Sequence, residues 1–383
     1  MDYDLHAAVP SLEDQITSYL GENPPASRAE LCEALGVSRT TLGRAITKLI
    51  DAHAVISLKE DEKTGAGRPS TLFTSARSCA YSVGIVISRA SFAAVLLNRG
   101  GDVLVAQSLP ATHPINYREA LDSIGALLLE RARTRGIITD YVRTIGVGLP
   151  VPMGSNVSHP PHSPYPSRDS VIDIISRRWK GNILIDTTAR LSALSEALWG
   201  AGQGYPSILY VRLSNGIGAS LVVSYHLSGG ELGFTGELGH MRVPDVHTPC
   251  ACGKEGCLET LASIPALYAQ CDVSSLSELA RKVSNQDSRT LSILEHAMEA
   301  VGACYAALLI NPRAIIVAGE LPEAIPEVSD MLAHGLEREL IPAMKWNIDV
   351  VRAELGPLAA AQAAAYAATT TASSIKKENE GTR

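Results

Sequence analysis

Three of the chain's seven cysteines, Cys250, Cys252 and Cys257, fall within eight residues of one another, and His240 stands ten positions ahead of the first. Thiolate sulfur and imidazole nitrogen are the ligands zinc prefers, and four of them close a tetrahedral structural site. Gly253 and Gly256 give the backbone freedom to fold back so that three sulfurs converge. His247 lies closer to Cys250 in sequence and is the alternative fourth ligand. His240 is preferred because it ends a glycine-rich run, GGELGFTGELGH, which can pack back on the cysteine loop. Four protein ligands leave no open position, so the expected zinc is structural, and its binding free energy holds the loop in shape.

At 383 residues the chain is too long for one ordinary domain, and 46% hydrophobic residues suffice for sizeable cores. No apolar run reaches the ~18 residues of a membrane span, and the acidic start MDYDLHAAVPSLEDQ lacks a signal region. An odd number of cysteines, most of them scattered, fits a reducing compartment, which gives a cytoplasmic expectation. Cys32, Cys79, Cys271 and Cys304 sit in apolar surroundings and are expected in cores. A net charge of −7 argues against a protein that coats nucleic acid but leaves room for a small reading head on an acidic body. Aromatic residues at 5% are too few to stack on single strands.

Residues 8–76 read as such a head. SLEDQITSYLGEN carries apolar residues at helical spacing, Pro24-Pro25 breaks it, and Ser27-Arg28-Ala29-Glu30 is a capping box that opens a second helix through Leu35. Gly36 ends that helix, and Ser38 caps a third with Leu42, Ile46, Leu49 and Ile50 on one face. Val55–Leu58 and Ser70–Phe73 read as strands around the polar turn KEDEKTGAGRP. Two helices joined by a tight glycine turn, then a hairpin, describe a winged helix-turn-helix. Ser38, Arg39, Thr40, Thr41 and Arg44 would then face base edges, Lys48 and Lys63 phosphates, and Arg68 at the wing a minor groove. Between Ser38 and Arg68 the bases Arg39, Arg44, Lys48, Lys59, Lys63 and Arg68 outnumber the acids Asp51, Glu60, Asp61 and Glu62, so the basic character is local.

From residue 79 the pattern becomes α/β. YSVGIVISRASFAAVLLNRGGDVLVAQSLP reads as three strands. A helix near Tyr117–Arg135, a strand at Thr144–Gly148, a helix at 170–179, a strand at Ile183–Asp186 and a helix at Leu191–Gly200 complete a first lobe, 79–195. Strands Ser207–Leu213, Ala219–Ser224 and Ala314–Val317, with the cysteine loop and several helices, form a second lobe, 196–356. An alanine-rich helix at about 357–370 closes the fold, and the polar segment 371–383 is expected to be disordered.

Gly216-Ile217-Gly218, Gly236-Glu237-Leu238-Gly239-His240 and Cys250-x-Cys252-Gly253-x-x-Gly256-Cys257-x-Glu259 together resemble the signature of the ROK family of repressors, open reading frames and kinases, over roughly residues 80–370. The resemblance implies a two-lobed body of the sugar-kinase and actin-like ATPase architecture, with the alanine-rich helix crossing back to the first lobe. It implies zinc on His240 and the three cysteines, which favours His240 over His247. It also places Glu237, His240 and Glu259 where relatives hold sugar hydroxyls.

The chain departs from the family's kinases at the chemistry. Their Asp-x-Gly-Gly-Thr loop is replaced by Val86-Ile87-Ser88-Arg89-Ala90, and their Asn-Asp-Ala-Asn segment by Thr187-Thr188-Ala189-Arg190. A Gly-Pro-Gly near the cleft becomes Pro150-Val151-Pro152. Thr188 stands where the base would be and cannot accept a proton at neutral pH. Asp186, two positions earlier in a strand, is a candidate substitute facing the same side.

The expected protein is therefore a repressor that binds an inverted-repeat DNA operator as a homodimer or dimer of dimers and answers to a sugar or sugar-phosphate effector. No membrane role is expected. An active sugar kinase with an accessory N-terminal domain is the main rival. A head that binds protein rather than DNA is the third reading.

Overall fold

The computed structural model describes residues 11–23, 25–52, 54–59, 71–75, 81–88, 91–111, 115–137, 139–150, 166–228, 236–307, 312–340 and 348–380. Helix α1 (Leu12–Glu22) opens with a capping box in which Ser11 and Asp14 satisfy each other's backbone N–H groups. The two-residue strand β1 (Ala26–Ser27) runs straight into α2 (Arg28–Leu35), where Ser27 and Glu30 form the second capping box. Gly36 ends α2 in the left-handed region, at φ +64°. The Ser38 hydroxyl then accepts from the Thr41 N–H to start α3 (Arg39–Asp51). Ile16, Leu20, Leu31, Leu42, Ile46 and Phe73 close one small core. Strands β2 (Val55–Lys59) and β3 (Thr71–Ser75) pair antiparallel, and β1 lies on the other side of β3.

The first lobe contains β4 (Tyr81–Ile87), β5 (Ser91–Leu97), β6 (Val103–Pro110), α4 (Tyr117–Arg133), β7 (Val142–Leu149), α5 (Arg168–Ser176), β8 (Asn182–Thr187) and α6 (Thr188–Trp199). Its sheet runs β6-β5-β4-β7-β8. The first three strands form an antiparallel meander, and β7 and β8 extend the sheet in parallel. Pleat alternation splits β4 and β5 between two cores. Ile85, Ile87 and Leu96 face Leu121, Ile124 and Leu128 of α4, while Val86, Ala93 and Val95 face the other side.

The second lobe contains β9 (Ser207–Leu213), β10 (Ile217–Val223), β11 (His226–Leu227), α7 (Glu259–Ala262), α8 (Ile264–Cys271), α9 (Leu276–Ser284), α10 (Ser288–Ala307), β12 (Ala314–Ala318), α11 (Glu320–Ala324), α12 (Glu327–Glu339) and β13 (Asp349–Arg352). Its sheet order, β11-β10-β9-β12-β13, repeats that of the first lobe strand for strand, including which pairs are parallel. Cys271 and Cys304 are buried in its core, and Cys32 in the head is half-buried; Cys79 lies outside the described residues.

Helix α13 (Pro357–Glu380) returns to the first lobe, and its alanines explain themselves by distance. A Cβ at Gly84 would lie 1.8 Å from the Ala361 carbonyl oxygen, and one at Gly146 would lie 2.0 Å from that of Ala364. Helix backbone and sheet backbone touch, so neither side has room for larger residues. The helix also runs through residues 371–380, which composition assigned to a disordered tail. Elongation from an anchored helix adds one bond per residue fixed and needs no new nucleus.

Among the described residues the chain passes between the lobes at 200–206 and at 353–356. Buried Glu196 holds both passages: one carboxylate oxygen accepts from Glu354 N–H (3.0 Å) and Leu355 N–H (2.7 Å), the other from Ala201 N–H (2.8 Å). All its charge is answered by backbone donors, which is what a buried carboxylate requires.

Candidate functional site

The segment ending in His240 lies flat on β10. Gly236 has φ +95°, and a Cβ there would meet the Ala219 carbonyl oxygen at 1.7 Å; one at Gly239 would meet that of Ile217 at 2.3 Å. Glycine is therefore required at both positions to seat the short turn Leu238–His240. The cysteine loop is folded back by two bridges, Arg242 with Cys257 and Pro249 with Glu255, with Gly253 and Gly256 at positive φ.

One ligand atom from each of His240, Cys250, Cys252 and Cys257 lies within 4.8 Å of the others. Cys252 Sγ is 3.6 Å from Cys257 Sγ, and Cys250 Sγ is 3.7 Å from His240 Nδ1. Zinc–sulfur bonds of about 2.3 Å at tetrahedral angles put sulfurs about 3.8 Å apart, so this set fits such an ion with little movement. His247 is exposed and is not part of the group. Burial pushes the Cys257 thiol up to about 12, whereas a backbone hydrogen bond at Lys254 is the largest effect lowering Cys252. A bound dication favours the thiolate at every one of these sulfurs.

With Nδ1 turned to the cysteines, His240 presents Nε2 toward Glu237, 3.8 Å from Oε2. Burial raises Glu237 above the usual carboxylate range; His240 opposes the rise and Glu259 adds to it. Glu259 Oε2 accepts from the Ile217 N–H at 3.1 Å, and a Cβ at Gly216 would sit 2.8 Å from the same oxygen. The three residues expected at an effector site thus gather beside the β9–β10 turn, on the flank of the metal cluster.

The corresponding strand ends of the first lobe carry different chemistry. Val86 is fully buried among Leu191, Leu194 and the α13 alanines. Thr188 is buried and donates its hydroxyl to the Ile87 carbonyl at 2.9 Å. Asp186, the candidate substitute base, accepts from Arg190 Nε at 2.7 Å and from the Thr187 N–H at 2.7 Å. Arg190 also reaches the Ser228 carbonyl at 2.6 Å, linking α6 to the end of β11. Arg89, Ala90, Val151 and Pro152 lie outside the described residues.

In the head, Arg39, Thr40, Thr41, Arg44 and Lys48 are all exposed on α3. Ser38 and Thr41 are engaged with each other, side chain to side chain at 2.9 Å, so they set the helix start. Lys48 leans toward α1 and pairs with Glu13 at 3.3 Å. Arg39, Thr40, Arg44 and Thr47 form an exposed stripe with the half-buried Gly43 among them; Thr47 was not singled out from the sequence, although it stands at i+7 from Thr40. Lys63 and Arg68 lie outside the described residues, and of Lys59 only the backbone is described.

A winged helix-turn-helix head on a two-lobed body with duplicated sheets and a Cys₃His cluster defines a class of protein that comparison makes specific. Residues 82–371 match the model of the ROK family and residues 15–55 that of a winged helix-turn-helix DNA-binding domain. The chain belongs to the ROK family. It is 27% identical to the xylose repressor of Bacillus spizizenii over 88% of each chain. It is 24% identical to the DNA-binding transcriptional dual regulator NagC of Escherichia coli over 86% of each. A glucokinase of Halalkalibacterium halodurans is 26% identical over 54% of this chain and 70% of its own. Among solved structures, a ROK family transcriptional regulator, homologue of the E. coli MLC protein, shares the fold at TM-score 0.63 and 22% identity, covering 91% of this chain and 93% of its own. The ROK hexokinase of Thermus thermophilus matches at TM-score 0.64 and 25% identity, covering 76% and 99%.

Proposed function

We propose that this protein is a sugar-responsive transcriptional repressor whose body senses a sugar or sugar phosphate without phosphorylating it. One observation carries the reading: a DNA-binding head is joined to a ROK body whose first-lobe strand ends are chemically closed. Phosphoryl transfer needs loops that cradle phosphate and a group that orients the attacking hydroxyl. Val86 is sealed into an apolar core, the Thr188 hydroxyl is committed to a carbonyl, and Asp186 is neutralised by Arg190. The likeness to the repressors runs almost the whole length of the chain, and that to the glucokinase about half of it.

Glu237, His240 and Glu259 are the residues we assign to the effector. Carboxylate lone pairs accept hydrogen bonds from adjacent hydroxyls, the way polyols are held, and the xylose named for one repressor relative supports a sugar. His240, Cys250, Cys252 and Cys257 would hold a structural Zn²⁺. That ion would supply loop rigidity and a fixed His240 ring, leaving Nε2 for Glu237 or a ligand. Arg39, Thr40 and Arg44 would read bases, and Lys48 would meet phosphate. A single head offers few contacts, so useful affinity needs two heads from a homodimer, or a dimer of dimers, on an inverted repeat with half-sites about one or two turns of ~10 bp apart. Effector binding regulates only if it prefers one lobe arrangement. The Glu196 clamp lies across both passages and the Arg190–Ser228 link ties α6 to the end of β11, so both stand in the way of such a change. A repressor of this kind works in the cytoplasm.

The reading is tested by titrating full-length protein against DNA from the neighbourhood of its own gene and against random duplex at two salt concentrations. Arg39→Ala or Arg44→Ala should weaken the specific complex by roughly 1–3 kcal/mol. Lys48→Ala should weaken all duplexes alike and flatten the salt dependence. If no fragment is bound better than random DNA, the regulator reading fails.

A further inference from the structure

Glycine in a helix interior needs a reason, because only proline is a worse helix former. Among the described residues most helical glycines have one inside the molecule. A Cβ at Gly125 would lie 2.9 Å from the Trp179 ring, one at Gly302 would lie 2.5 Å from the Leu336 nitrogen, and one at Gly335 would lie 2.6 Å from the Glu299 Cα. Each lets a neighbour approach. Gly21, whose Cβ would meet nothing within 4 Å, sits in the last turn of α1 where helices fray. Gly43 is different. It lies five residues into the thirteen-residue α3, at negative φ, and a Cβ there would also meet nothing within 4 Å. Among the described residues, neither backbone conformation nor packing calls for glycine at this position.

The surroundings point outside the chain. Gly43 is half-buried but opens, in the direction a Cβ would take, among the exposed residues, one turn from Arg39 and Thr40 and beside Arg44. Thr47, one turn further along, folds its hydroxyl back onto the Gly43 carbonyl at 2.9 Å. The stripe is therefore low at its centre and carries long cationic side chains beside the gap. A helix that enters a major groove about 12 Å wide is limited by side-chain bulk where it faces the base edges. We infer that Gly43 is a specificity-determining residue, the point at which the backbone of α3 closes on the base edges of the DNA while Arg39 and Arg44 reach past it on either side. The inference rests on the DNA-binding reading above.

The test uses the full-length chain and three substitutions, Gly43→Ala, Gly43→Leu and Gly21→Ala, with two duplexes: the tightest fragment that wild-type protein recovers from a genomic library, and a random duplex of equal length. A base-facing close contact predicts that G43A loses about 5- to 100-fold in affinity for the recovered fragment, the range of one disrupted base contact. G43L should lose more, and both should keep wild-type affinity for random duplex. Added helix propensity should at the same time raise the melting temperature of the G43A head by roughly 2–8 °C. Stability and specific binding would then move in opposite directions, which misfolding cannot produce. G21A should bind like wild type. G43A binding the fragment as tightly as wild type, or losing equally on both duplexes, would overturn the inference. Failure of wild-type protein to recover any preferred fragment would instead remove the DNA reading beneath it.

Discussion

The two five-stranded sheets have the same strand order and directions, yet their loops and strand ends carry different chemistry. In the second lobe, glycine turns bring a carboxylate pair, an imidazole and three thiols together beside β10. In the first, the strand ends are filled by Val86, a committed threonine hydroxyl and an Asp186–Arg190 pair. One topology thus supports a polar cluster in one lobe and a sealed end in the other, because the fold depends on the apolar faces and the chemistry on a few terminal side chains.

The contrast can be broken from either side. The largest effect is expected at Cys257, the most buried of the four candidate ligands. Cys257→Ser should release the metal and destabilise the protein by roughly 3–5 kcal/mol, measured by elemental analysis and thermal melting. A variant with full metal and full stability would end the assignment. In the first lobe, Val86→Asp would restore a carboxylate where the family's kinases carry one. It would do so inside an apolar core of helix alanines, so we expect a loss of similar size, about 3–5 kcal/mol, and no phosphoryl transfer. Wild-type stability in denaturant would mean that this strand end is open. Asp186→Ala leaves Arg190 without its carboxylate. The two side chains are only 19% and 14% exposed, so roughly 1–3 kcal/mol should be lost. By contrast, Glu13→Ala removes the partner of a Lys48 that is 75% exposed and should change stability by less than about 0.5 kcal/mol. Equal effects at the two ion pairs would show that the Asp186 pair is no more enclosed than a surface contact.

Much of this was readable in the sequence because it rests on local rules. The capping box at Ser27, the glycine stop at Gly36 and the spacing of the cysteines each act over a few residues. Strand β1 is two residues long and β13 four, too short for a periodic signal, and both exist only because a neighbouring strand pairs with them. Asp186 looked available because strand periodicity fixes the side it faces but not what waits there; Arg190, one helical turn on, takes it. Glu196 reads as an ordinary acid in an alanine-leucine helix. Its role appears only when two distant segments bring their N–H groups to it. The polar tail misled by composition, since the helix that extends into it is anchored on the sheet upstream.

The proposed function joins two properties in one chain, a ROK body that would sense a sugar without phosphorylating it and a head that would answer on DNA. It is tested most directly in one assay, with full-length zinc-loaded protein on its recovered DNA fragment in the presence of ATP and a panel of monosaccharides and their phosphates. Fragment occupancy and ADP release are followed together. The proposed function predicts that one sugar or sugar phosphate shifts occupancy, with or without ATP, while no ADP forms above background. Sugar-dependent ADP release in the ordinary kinase range of ~1–100 per second, with DNA occupancy indifferent to every sugar, would contradict it.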